Sequence, residues 1–378
     1  MDFLVNGVVE LFSGDGWKMI VMWAVGILLI YLAIKKDMEP ALLLPMGFGA
    51  ILVNLPFSGA IGAEGILDWL FDLGIGQAEA FPLLLFIGIG AMIDFGPLLS
   101  NPKLLFFGAA AQVGIFITII LASLIGFNLA DASSIGIIGA ADGPTSILVA
   151  RTFKSGYLGA IMVAAYSYMA LVPIIQPMAI KAVTTKKERA LHMPYSPATV
   201  TKTTKIIFPI VVTVIAGLIA PASVSLVGML MLGNLIRECG VLDNLSETAQ
   251  KTLANLITLL LGVTIAASMK ADQFVRWQTL AIMGLGLFAF VFDTIGGVLF
   301  AKLVNVFLPQ SKKINPMIGG AGISAFPMSA RVIQKLGLEA DPTNHLLMHA
   351  VGANVSGQVA SVVAGGIILS IVPAMLGI

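Results

Sequence analysis

Charge is what this chain lacks. Of its 378 residues only 11% are Asp, Glu, Lys or Arg, and 58% are hydrophobic; a soluble domain is typically about 25% charged. Its mean hydropathy is +0.99. Too few polar side chains remain to cover a water-exposed globule of this length, so a soluble domain is excluded. A net charge of +1 offers neither a basic face for nucleic acid nor an acidic one. The single cysteine, Cys239, excludes an intrachain disulfide and a thiolate metal cluster, and reads as a small apolar filler. Histidine is scarce too: His345 and His349 share a helical face, but His192 is distant in sequence and no further ligands accompany them. No Walker loop, catalytic triad or zinc motif is present. Residues 1–16 carry Asp2 and Glu10 and lack the basic start of a cleavable signal; they read as an interfacial N-terminal helix.

What the chain does have is long uncharged runs. Residues 104–130, 155–180 and 206–236 contain no Asp, Glu, Lys or Arg, and each exceeds the ~20 residues that cross a hydrocarbon core. An all-α polytopic membrane protein follows. Spans are expected near 17–34, 41–56, 80–96, 104–127, 157–180, 206–220, 221–236, 252–269, 277–304 and 345–377, with 206–236 either two spans or one helix kinked at Pro221. The loop 181–205 holds Lys181, Lys186, Lys187, Arg189, Lys202 and Lys205, which places it in the cytoplasm. The loop 57–79 holds Glu64, Asp68, Asp72 and Glu79 without Lys or Arg, as expected outside. Counting crossings between these marks works only if 134–150 and 316–333 dip in as re-entrant segments. The order of spans and re-entrant segment then occurs twice with opposite orientation: a first inverted repeat at 17–180, a basic cytoplasmic linker at 181–205 and a second repeat at 206–378. Arg151, Lys154, Lys270 and Arg276 fall on the outer side of this arrangement. Inverted repeats with broken helices are a common transporter plan, with the site at the repeat interface near the midplane.

Irregular backbone at membrane depth is tolerated only where protein buries it or it lines a wet cavity. Residues 139–146 form such a break, with Gly139, Gly143 and Pro144 around Asp142. A carboxyl among Ile137, Ile138 and Ile147 is costly, and its default reading is functional. Freed carbonyls beside it would ligate a hard cation. The second break, Asn315 to Ser329, adds the oxygens of Asn315 and Ser324, with Arg331 following. One carboxylate with neutral oxygens suits a monovalent ion, whereas Ca²⁺ calls for more acids. Asn354 lies within the last span and is either a further ligand or an interhelical contact. Tyr168 either donates in the path or packs in an aromatic belt. Asp94 ends its span at the interface, or acts there. Asp293, deep in its span, either pairs with Lys302 or lines the path. The methionines read as packing residues.

Gly139-Ala-Ala-Asp-Gly-Pro-Thr-Ser146, Ala165-Tyr-Ser-Tyr-Met-Ala-Leu-Val-Pro173, the run Asn315 to Arg331 and Asn344-His-Leu-Leu-Met-His349 resemble the β subunit of the biotin-dependent, Na⁺-translocating decarboxylases. The resemblance extends from about residue 10 to the end of the chain. In that family a carboxyltransferase α subunit loads a biotin carrier from oxaloacetate, glutaconyl-CoA or methylmalonyl-CoA. The β subunit then decarboxylates the carboxybiotin, consuming a proton and exporting Na⁺. The resemblance implies that Asp142 is the essential ion-binding aspartate and that Tyr168 belongs to the proton and Na⁺ path. It implies functional roles for Asn315, Gly319, Ser324 and Arg331, and a Na⁺-site role for Asn354. It also implies a homotrimeric core with a small membrane γ or δ subunit, in a bacterial inner membrane.

On this reading Na⁺ binds Asp142 with oxygens of both breaks, Arg331 holds the carboxylate of carboxybiotin, and the proton arrives through Asp142 or Tyr168. Composition and topology alone would equally describe a stand-alone cation/proton antiporter or a Na⁺-coupled transporter.

Overall fold

The computed structural model describes residues 2–62, 65–76, 79–194 and 200–376. It is all helical, with no strand among those residues. The helices used below are α1 (Asp2–Phe12), α2 (Gly16–Lys36), α3 (Pro40–Val53), α4 (Ala80–Met92), α5 (Pro102–Ile125), α6 (Leu129–Gly136), α7 (Gly143–Thr152), α8 (Leu158–Val183), α9 (Lys202–Ile219), α10 (Val224–Glu238), α11 (Asp243–Ala266), α12 (Trp277–Phe307), α13 (Met317–Gly320), α14 (Met328–Ala340) and α15 (Leu347–Leu376).

Seven of these, α2, α5, α8, α9, α11, α12 and α15, are long and apolar enough to cross a membrane. Three expected spans are shorter: α3, α4 and α10 have 14, 13 and 15 residues, about 20 Å of helix against a hydrocarbon core of about 30 Å. The 206–236 run is two helices, because Ala220 leaves helical geometry and Pro221 restarts the chain in a short turn before α10. α5 is interrupted at Gln112. Large apolar side chains on the outer faces stay exposed, among them Ile27 and Ile34 on α2, Val214 and Leu218 on α9, and Leu280 and Leu303 on α12. Lipid, not water, is the solvent those faces suit.

The helices pack in two groups. In one, α3 lies between α2 and α11, and α4 packs on both α10 and α11. In the other, α5, α8, α12 and α15 surround the two broken segments. There α15 packs on α5 and α8 on α12, so each half of the sequence is clasped by the other. The linker is docked as well: Asn315 and Asn344 both donate to the carbonyls of Arg189 and Leu191. Lys181 pairs with Glu339 at 2.9 Å. Residues 195–199 of the linker lie outside the described residues.

Candidate functional site

The first break has a local cause. After the turn at 137–140, Ala141 takes a left-handed conformation (φ +53°), which a helix cannot continue. Asp142 is then extended and caps α7, accepting from the Thr145 N–H at 3.3 Å, and Pro144 needs no N–H partner in the first turn. Asp142 is only 4% exposed. The second break separates α13 from α14 and crosses the first: the Ser324 N–H donates to Ala140 O at 2.9 Å.

Three hydroxyls converge on Asp142 Oδ2. They come from Thr145 at 2.8 Å, Ser361 at 2.7 Å and Ser324 at 3.3 Å. They belong to α7, α15 and the second break, so the carboxylate joins three elements. α15 presents Asn354, Gln358 and Ser361 along one face. Asn354 donates to Ile323 O at 2.7 Å, and Gln358 donates to Ser324 O. Their amide oxygens, Asn354 Oδ1 and Gln358 Oε1, are buried without a hydrogen-bond partner. Buried orphan acceptors are rare; both amides bond the second break, at Ile323 and Ser324, and the Ser324 hydroxyl, which can rotate to present lone pairs, reaches Asp142. That all-oxygen donor set fits a hard monovalent cation.

Not every expected residue meets at this point. Ser324 and Asn354 are joined to the cluster as described. Asn315 spends its amide nitrogen on the linker carbonyls and its Oδ1 on the Met317 N–H, at 3.1 Å. Gly319 packs backbone to backbone on Gly297 of α12; a Cβ on Gly319 would stand 1.9 Å from Gly297 O. Tyr168 points away from Asp142 and donates to Met283 O on α12. Tyr166 instead covers the break: a Cβ on Gly143 would stand 2.3 Å from its ring. Thr145, Gln358 and Tyr166 were not singled out from sequence. Thr145 could have been found from the Asp-x-x-Thr capping spacing, and Gln358 from its place one turn after Asn354. Lys302 does not pair with Asp293; it bonds Glu188 at 2.9 Å. Asp94 bonds Lys205 at 3.1 Å and the Gly96 N–H at 2.8 Å, a helix-end role.

Arg331 lies one helical step from the break, on α14, and lines a cavity of about 480 Å³ with Glu39, Lys335 and Glu339. Pro173, Pro177 and Met328 supply apolar wall. Burial pushes the Glu39 carboxyl up, and the Arg331 guanidinium partly pulls it back. The cavity is of ligand size; its cations Arg331 and Lys335 stand against Asp37, Glu39 and Glu339, over an apolar floor.

A buried, hydroxyl-lined carboxylate where two broken helices cross, with a mixed-charge cavity on the helix that follows the second break, defines a multi-pass membrane protein of the ion-transporting class. The family model of the Na⁺-transporting oxaloacetate decarboxylase beta subunit matches residues 18–372, and the chain belongs to that family. It is 49% identical to the glutaconyl-CoA decarboxylase subunit beta of Acidaminococcus fermentans, over 98% of this chain and 99% of that protein. It is likewise 49% identical to the methylmalonyl-CoA decarboxylase subunit beta of Propionigenium modestum, over 95% and 96%. The oxaloacetate decarboxylase beta chain of Klebsiella pneumoniae is 43% identical, over 99% of each. The chain is thus a membrane subunit of a multi-subunit decarboxylase.

Proposed function

We propose that this subunit decarboxylates carboxybiotin brought by a biotin carrier protein and couples the step to Na⁺ export against H⁺ counter-movement. The observation that carries this reading is the short covalent path from the Asp142 cluster to the Arg331 cavity. Ser324 touches Asp142, and α14 leads from that break to Arg331. That single segment is the route by which binding at one site acts on the other in this proposal.

Na⁺ binds Asp142 with oxygens of Thr145, Ser324, Ser361 and Asn354. Asn315 and Gly319 hold the arm that carries Ser324, the first on the linker and the second on α12. Arg331, planar and always charged, receives the carboxylate of the substrate in the cavity. Breaking its C–N bond returns the electron pair to the biotin nitrogen, which takes a proton as CO₂ leaves. Tyr168, with its hydroxyl on α12, belongs to the proton and Na⁺ path. The crossed packing of α5 with α15 and of α8 with α12 supports two inverted repeats, 17–180 and 206–378. The basic linker 181–205 faces the cytoplasm of a bacterial-type cell. Of the four cations on the opposite side, Arg151 and Lys270 lie against acids, Glu79 at 2.6 Å and Asp68 at 3.6 Å. The partners are the carboxyltransferase α subunit, the biotin carrier and a small γ or δ subunit, around a trimer of this chain.

The test is decarboxylation of free carboxybiotin by the purified chain as Na⁺ is titrated. A rate that saturates with Na⁺ and is lost in Asp142→Asn supports the reading. Absence of decarboxylation, with Na⁺ uptake still driven by a pH gradient, would make the chain an ordinary exchanger.

A further inference from the structure

A second carboxyl lies behind the first break. Asp293, midway along α12, has none of its surface exposed. Its Oδ1 accepts from the Ile115 N–H at 3.1 Å, just past the interruption of α5 at Gln112. Its Oδ2 has no hydrogen-bond partner. That oxygen is aimed at the break: a Cβ on Gly139 would stand 2.5 Å from it. Asp142 and Asp293 therefore flank one irregular segment, 139–142, from its two ends.

The surroundings give Asp293 no countercharge. On its own helix, Lys302 is held by Glu188. On α6, Asp131 bonds Asn128 and Ser155. On α8, Lys181 is held by Glu339, Tyr168 donates to Met283 O, and Tyr166 covers Gly143. α5 carries only Lys103, at its far end, and α13 and residues 137–140 carry no charged residue. A bare carboxylate buried this way lacks the compensation that a low-dielectric interior demands. The two carboxyls also differ in their donors. Hydroxyls around Asp142 can turn their lone pairs toward a metal ion, whereas a peptide N–H at Asp293 can only donate. A proton needs one free oxygen; Na⁺ needs several.

We infer that Asp293 is a proton-binding site, taking up and releasing H⁺ at the back of the break whose front holds Na⁺ on Asp142. The inference rests on the Na⁺ reading of Asp142. It gives the break two ligands of like charge on separate carboxyls, each altering the charge against the same short backbone.

The experiment uses the chain in its assembled decarboxylase complex, reconstituted in liposomes with a trapped pH dye. Asp293→Asn should match the wild-type Na⁺ half-saturation at low pH, where the wild-type carboxyl is already neutral. It should flatten the pH dependence of that half-saturation and cut H⁺ uptake per CO₂ released, and Asp293→Glu should restore both. Wild-type pH dependence and H⁺ uptake in Asp293→Asn would overturn the inference. So would a rise of about tenfold or more in Na⁺ half-saturation with pH dependence intact, since that would make Asp293 a Na⁺ ligand. Should Asp293→Asn fail to assemble, the infrared band of a protonated carboxyl is compared in wild type and Asp293→Glu; a band that shifts supports the inference, and an unchanged spectrum overturns it. Asp142→Asn is the control for the underlying reading: if Na⁺ dependence survives that substitution, the Na⁺ reading fails while the Asp293 result stands by itself.

Discussion

Ser361 on α15 donates its hydroxyl to Asp142 Oδ2 at 2.7 Å, although 219 residues separate the two in sequence. The contact closes the candidate ion site, because it ties the last helix to a break in the first half. Removing it tests whether the hydroxyls are ligands. Ser361→Ala is expected to raise Na⁺ half-saturation by about tenfold, or ~1.4 kcal/mol, the scale of one hydrogen bond to a charged group. Ser324→Ala, whose contact is longer at 3.3 Å, should cost less. Titration of decarboxylation against Na⁺ checks both, and equal, negligible shifts would remove the hydroxyls from the site.

The Gly297–Gly319 contact makes a stability prediction. Neither partner can yield, because a Cβ on Gly319 would meet the Gly297 carbonyl, which is backbone. Gly319→Ala should destabilise by about 3 kcal/mol, the upper range for overpacking. Thermal unfolding in detergent reads this directly. An unchanged midpoint would show that α12 and α13 separate easily.

Arg331 should govern the substrate rather than the ion. Arg331→Ala is expected to raise KM for carboxybiotin by about tenfold or more, the value of a charge-assisted pair, with Na⁺ half-saturation little changed. Arg331→Lys should recover part of the loss, since the charge returns without the planar fork. A variant that shifts only the Na⁺ response would move Arg331 out of the cavity's chemistry.

Glu39 predicts a pH dependence with a definite sign. Burial raises its carboxyl in the folded protein, with Arg331 offsetting part of the effect. The folded state therefore holds this proton more tightly than the unfolded one. The stability it contributes is complete below the unfolded value of about 4.3 and is lost as pH rises through the folded value. Glu39→Gln should unfold at an equal or higher temperature than wild type at about pH 8, with the difference vanishing near pH 4. It should also lower KM for carboxybiotin, because a negative charge that repels the substrate carboxylate leaves the side of Arg331. A variant less stable at the higher pH would contradict the account.

Much of this was legible in the sequence because bilayers impose simple demands. Uncharged runs such as 155–180 can only be buried or lipid-facing, and α8 occupies that run. Gly139, Pro144 and Asp142 announced a break, and the backbone leaves the helix there. Two expectations had no such local signal. Whether Tyr166 or Tyr168 faces the break depends on the rotation of α8 against α7 and α12, and two aromatic residues two positions apart leave that open. Asn315 reads as a ligand by type, but its amide is consumed by linker carbonyls more than a hundred residues earlier in the chain.

The sequence by itself determined that the chain is helical and membrane-embedded, that it breaks at 139–146 and again between Asn315 and Ser329, and which carboxyl sits in the first break. Those properties follow from hydropathy, backbone dihedrals and missing N–H groups, all local. Only the tertiary structure decided that Ser361, Ser324 and Thr145 meet on one oxygen of Asp142, that Lys302 turns to Glu188, and that Asp293 is left with a bare oxygen against Gly139. Those outcomes depend on which helices pack together and at what rotation, and packing is a property of surfaces distant in sequence.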